Sequence, residues 1–216
     1  MRDSRLPTSS QDGTHPRLAE IVKRHLGTRW HQPLRGHSQA AFARLAASVT
    51  MDQGLVLDAG CGTGRSTAAL AQIHPDCLVI GVDRSASRLA RAPILPANAC
   101  LVRADLTDFW RLARAARWTL ERHYLLYPNP WPKARHLRRR WHAHPVWPDL
   151  LGLGGQLELR TNFELYAEEF AAALELADRV ADVQMLSLRP DQTLTPFEAK
   201  YLRSGHGLFQ VRAILS

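Results

Sequence analysis

Apolar residues fall in short, bounded runs at 55–59 (LVLDA), 78–82 (LVIGV), 100–103 (CLVR), 124–127 (YLLY) and 156–160 (QLELR). Between them lie stretches in which apolar positions recur every three or four residues. The runs predict strands, and the periodic stretches at 64–73, 85–91, 108–117 and 137–151 predict helices. A longer amphipathic pattern over 163–179 follows the fifth run, and two more strand-like segments, 183–188 and 207–214, close the sequence. Upstream, Leu18, Ile21, Val22 and Leu26 fall at helical spacing within 17–26, and Ser38 is placed to cap a second helix through Val49. Strand and helix alternating in this way predict an α/β fold, a doubly wound, mostly parallel seven-stranded sheet with an antiparallel C-terminal strand. The first 15 or so residues are rich in Ser, Thr, Asp, Gly and Pro and predict a mobile tail, so that 1–33 is tail and short helix and 34–216 a single domain.

A chain of 216 residues with 45% hydrophobic composition suffices for one such domain. Its net charge of +8 is unevenly placed. Residues 111–141 hold nine basic side chains against one acid, Glu121, whereas 19 basic and 19 acidic residues make up the rest. A local basic field of this kind predicts a polyanionic partner. Three cysteines with no C-x-x-C pair exclude a disulfide framework and a structural zinc site, and fit a reducing cytoplasm. No run reaches the roughly 18 apolar residues of a membrane span, and the N-terminal stretch lacks the apolar core of a signal peptide. A soluble cytoplasmic protein is expected, with no metal and with the oligomeric state open.

In an open parallel sheet, ligands bind beyond the carboxyl ends of the strands. The first strand exit reads Leu57-Asp58-Ala59-Gly60-Cys61-Gly62-Thr63-Gly64-Arg65-Ser66. Its G-x-G-x-G spacing is neither the G-x-G-x-x-G of dinucleotide folds nor a Walker A loop. The second strand ends at Asp83, followed by Arg84, where a carboxylate can accept from both hydroxyls of a ribose. The third ends at Asp105, placed to accept from an adenine amino group. Over roughly residues 54–106 this ladder resembles the class I S-adenosylmethionine-dependent methyltransferases, whose fold is Rossmann-like. The resemblance implies S-adenosylmethionine as cofactor, with Asp58 near the methionyl ammonium, Gly60, Gly62 and Gly64 along the cofactor, Asp83 and Arg84 at the ribose and Asp105 near the adenine.

At the fourth exit stands Pro128-Asn129-Pro130-Trp131-Pro132-Lys133-Ala134-Arg135-His136-Leu137-Arg138-Arg139-Arg140. The three prolines hold the backbone extended. Trp131 offers a stacking face to a base, Lys133 a point charge, and Arg135, Arg138 and Arg139 guanidiniums for phosphates. P-x-P-W-P-K-x-R-H-x-x-R-R is similar to the signature of the tRNA (guanine-N7)-methyltransferase family. Thr195-Pro196-Phe197-Glu198 resembles that family's T-x-[FY]-E block, and Arg35-Gly36 with Gln39 echoes its N-terminal motif. The likeness spans about residues 34–214 and implies methyl transfer to N7 of guanosine 46 in the tRNA variable loop, with tRNA as partner. By that resemblance Asn129 stands at the catalytic position, and Asn162, Thr195, Phe197 and Glu198 join the loop residues around the substrate.

Two positions depart from the family pattern. Asn129 replaces the Asp of P-D-P-W, and Asn162 replaces the Asp that follows the fifth strand. N7 of guanine carries a lone pair and no proton, so alignment with the sulfonium methyl supplies rate without a general base. A carboxylate would grip the N1–H and N2–H₂ edge of guanine, whereas an amide presents donors as well as an acceptor. Three readings follow. The first is a guanine-N7 methyltransferase. The second is an RNA methyltransferase with another target base, such as an amino-methyltransferase using Asn129-Pro130. The third is a non-catalytic tRNA-binding relative.

Overall fold

The computed structural model describes residues 4–50 and 53–215. Seven strands form one sheet: β1 (Gly54–Ala59), β2 (Cys77–Asp83), β3 (Ala99–Arg103), β4 (Arg122–Leu126), β5 (Gln156–Thr161), β6 (Ala181–Met185) and β7 (Phe209–Ile214). Their order is β3-β2-β1-β4-β5-β7-β6, and β7 runs against both of its neighbours while the other pairings are parallel. The fold is the predicted one. Winding reverses between β1 and β4, so the loops leaving those strands diverge and open a crevice.

Side-chain alternation along the strands sorts the core into two layers. Leu57, Ile80, Leu125 and Leu159 face a layer built from α1 (Leu18–Leu26), α2 (Gly36–Ala46), α5 (Leu106–Ala115), α6 (Trp147–Leu151) and α7 (Glu164–Glu175). Val56, Val79, Tyr124 and Leu126 face α3 (Arg65–Ile73) on the other side. In α1, Leu18, Ile21 and Val22 bury one stripe, while Lys23, Arg24 and His25 in the last turn complement the helix dipole. Phe109 and Phe170, fully buried, each contribute roughly 1.5–3 kcal/mol by leaving water. α4 (Ala86–Leu89) is a single turn after β2.

Three expectations about local structure fail, and one helix was not anticipated. The helix expected over 137–151 is broken into two 3-10 turns, Ala134–Arg139 and Trp141–Ala143, followed by α6. Its periodicity is real, but Arg140 and His144 are extended, the latter because it precedes Pro145. Ser38 lies inside α2, where its hydroxyl accepts from the Asp105 backbone, and Arg35 takes the cap position. An additional helix, α8 (Pro196–Arg203), starts at Thr195, whose hydroxyl accepts from the Glu198 N–H. The N-terminal stretch read as a mobile tail is tied down. Ser4 donates its N–H to Ser204, and Gln11 and His15 bond to Glu169. Polar composition there reflects pairing with buried charge. Residues 1–3 of that stretch lie outside the described residues.

Candidate active site

The crevice at the ends of β1 and β4 holds a cavity of about 510 Å³. Gly60, Asp83, Arg84, Arg88 and Asp105 line one wall, and Asn129, Trp131, Arg138 and Arg139 the other. A larger hollow, about 730 Å³, opens against the first residues of β4 and β5 and shares none of these groups.

On the first wall, the N–H groups of Gly60 and Cys61 both donate to the Val82 carbonyl, fixing the loop to β2. Gly62 has φ +61°, a conformation L side chains resist, and open space where a Cβ would be. Asp83 is 4% exposed and accepts from Gly62 N (3.0 Å), Ser85 N (2.8 Å) and Arg88 Nη1 (3.2 Å). Asp105 caps α5, with Oδ1 accepting from the Thr107 N–H and hydroxyl, and Oδ2 lying 3.8 Å from Arg35 Nη1. Two fixed carboxylates, acceptors only, beside a glycine-rich loop fit the hydroxyl and amino donors of an adenosine. Asp58 differs from its expected place. It is buried beneath the loop, accepts from Ser66 Oγ (2.6 Å) and Thr67 Oγ1 (2.7 Å), and does not reach the cavity. Burial pushes its pKa up to about 6, against the pull of those hydroxyls. Gly62 and Gly64 shape the loop without lining the cavity.

On the second wall, Asn129 Oδ1 accepts from the Trp131 N–H (3.3 Å) and turns the loop, so that Trp131 takes φ +45°. The Arg139 guanidinium lies over the indole, 4.7 Å from its centroid. Lys133 and Arg135 are exposed and do not line the cavity. Arg140 is fully buried. It pairs with Glu169 and donates from Nε and Nη2 to the Trp131 carbonyl (3.2 and 3.1 Å). Burial alone would raise the Glu169 pKa, but bonds from His142 and Arg140 hold it at about 2.

Asn162 and the Thr195–Glu198 block do not reach the cavity. Asn162 is buried and donates from Nδ2 to His206 Nδ1 (3.0 Å), whose Nε2 donates to the Ser4 carbonyl. Glu198, also buried, accepts from Tyr127 Oη (2.9 Å), Arg160 Nη1 (3.1 Å) and Leu194 N (2.6 Å). Phe197 is 53% exposed beside Tyr201. These residues brace α8 against the start of the loop. Trp30, Gln32, Tyr127, Trp141 and His144 line the cavity although sequence reasoning passed over them. A lone tryptophan in the polar stretch Thr28-Arg29-Trp30-His31-Gln32 was the one available signal. Among the described residues no group of three or more His, Cys, Asp or Glu could hold a metal ion.

A family model described as "Putative methyltransferase" matches residues 52–211. A curated tRNA (guanine-N(7)-)-methyltransferase of Leifsonia xyli subsp. xyli is 30% identical, with 72% of this chain and 73% of the relative covered. The chain belongs to the tRNA (guanine-N7)-methyltransferase family. A relative of the same name from Thiobacillus denitrificans is 28% identical over 94% of this chain and 97% of its own length. A solved structure described as an antibiotic related methyltransferase matches in fold, with TM-score 0.59 at 17% identity over 85% of this chain and 96% of its own. This family member is thus an S-adenosylmethionine-dependent methyltransferase.

Proposed function

We propose that this methyltransferase acts on tRNA in the cytoplasm and modifies N7 of guanosine 46 in the variable loop. The observation that carries the reading is the state of Asn129. A backbone N–H only donates, so its bond to Asn129 identifies the atom it meets as Oδ1 and leaves the Nδ2 amino group as the free end at the cavity wall. Guanine offers acceptors, O6 and N7, on the edge to be methylated. Adenine offers an amino donor there, which would meet another donor. The amide oxygen that an amino-methyltransferase would need for that group already accepts one bond from the loop, which leaves it a single lone pair to offer.

Bound in the cavity, S-adenosylmethionine supplies an electrophilic sulfonium methyl. Asp83 and Asp105 would accept from its ribose and adenine, Trp131 backed by Arg139 presents a face to the base, and Arg138 and Arg139 with Lys133 and Arg135 meet phosphates. The cofactor would supply the methyl group and keep the sulfur as a neutral thioether, and the N7 lone pair of the base would be the nucleophile. No proton leaves the base, so Asn129 needs only to hold O6 and align the ring. Incubation with tritiated cofactor and unmodified tRNA is expected to place label in 7-methylguanosine, and a tRNA with adenosine at position 46 is expected to stay unlabelled. Label in N6-methyladenosine, or no label while the cofactor binds by titration calorimetry, overturns the reading.

A further inference from the structure

Trp131 combines a bulky side chain with a left-handed backbone, a conformation that persists only where its surroundings hold it. Its N–H is held by Asn129 and its carbonyl by the buried guanidinium of Arg140. Arg140 is itself held from the N-terminal segment. Gln11 Oε1 accepts from Arg140 Nη2 (2.9 Å), and Gln11 Nε2 donates to Glu169 Oε1 (3.0 Å). One amide therefore bridges both members of the buried ion pair. The His15 N–H adds a bond to Glu169 Oε1 (2.9 Å), and His142 Nε2 lies 3.1 Å from Oε2. These contacts leave Arg140 little freedom to turn away from the loop.

We infer that the N-terminal segment closes a clamp on the substrate loop, and that Gln11 and Arg140 are positioning residues that set the orientation of Trp131. Neither touches the cavity, and both act through the Trp131 carbonyl. Their effect on turnover rests on the proposed role of Trp131 at the base, whereas the clamp itself does not.

The full chain labelled with 5-fluorotryptophan carries six reporters, and Trp131→Phe assigns the relevant fluorine resonance. Arg140→Ala strands a buried carboxylate and is expected to unfold, so Arg140→Lys is the informative variant. A lysine keeps a charge for Glu169 but cannot also reproduce the fork to the Trp131 carbonyl. In Gln11→Ala and Arg140→Lys the Trp131 resonance is expected to shift or broaden while the other five hold. Turnover at saturating cofactor is expected to fall about tenfold, with cofactor affinity within about twofold of the parent. A lowered melting temperature with an unchanged Trp131 resonance overturns the clamp. A moved resonance with unchanged turnover overturns the positioning role. Should the parent fail to methylate tRNA, the functional reading falls, and the fluorine spectra alone decide the clamp.

Discussion

The two walls of the cavity are made by opposite means. The cofactor wall is a product of backbone geometry: a glycine loop tied to Val82 and two carboxylates at successive strand ends, each fixed by neighbouring N–H groups. The substrate wall depends on how side chains divide between inside and outside. Consecutive arginines have different fates there. Arg138 and Arg139 line the cavity, and Arg140 is fully buried against Glu169. Of the remaining basic residues in 111–141, Arg111 donates to the Gln32 carbonyl and lies over Trp30, and Arg114 is held by the Pro148 carbonyl and Asp149. A charge count along the sequence therefore overstates the field presented outward. Arg140, whose charge is matched by buried Glu169, is internal cement.

If the walls are independent, each yields separately. Asp83→Ala removes a buried charged acceptor and is expected to weaken S-adenosylmethionine binding about a hundredfold by calorimetry, with tRNA affinity measured without cofactor unchanged. Equal loss of both affinities breaks the comparison. Arg138→Ala with Arg139→Ala is expected to do the converse. Affinity for tRNA in a filter-binding assay drops about tenfold near physiological salt, the log–log salt slope falls by about 2, and cofactor binding holds. An unaltered slope would mean that these two side chains do not meet phosphate.

The smallest effect pits the walls against each other in stability. Burial lowers His123 to about 3 and His144, on the substrate wall, to about 4, while it raises Asp58 under the cofactor loop to about 6. Unfolding restores values of about 6.5 and 3.9. Below pH 6.5 the unfolded chain takes up a proton on each histidine that the native state refuses. Between about pH 4 and 6 native Asp58 retains a proton that the unfolded chain releases, which offsets one of the two. His142, buried and lowered in the same sense, adds to the loss, so urea unfolding is expected to show stability falling by at least about 1 kcal/mol from pH 6 to 5, and more steeply in Asp58→Asn. A flat profile sinks this assignment.

All seven strands and the glycine loop could be read from the sequence, because short bounded apolar runs and turn chemistry are local. What escaped was pairing at a distance. Periodicity over 137–151 marked buried positions but not the breaks at Arg140 and before Pro145. Asn162 and Glu198 carry chemistry suited to a substrate, yet His206, Tyr127 and Arg160, contributed by other parts of the chain, take up their polar atoms. The same holds for Gln11, whose partners lie 129 and 158 residues away. Residue type announces that a polar group needs a partner and leaves open whether that partner is a ligand or the protein.

The anchoring of the N-terminal segment also has a bearing on biosynthesis. Residues 4–15 are made before the groups that hold them, which belong to Arg140, Glu169, Ser204 and His206. The contacts of Ser4 with Ser204 and His206 cannot form until α8 and the residues after it have been made.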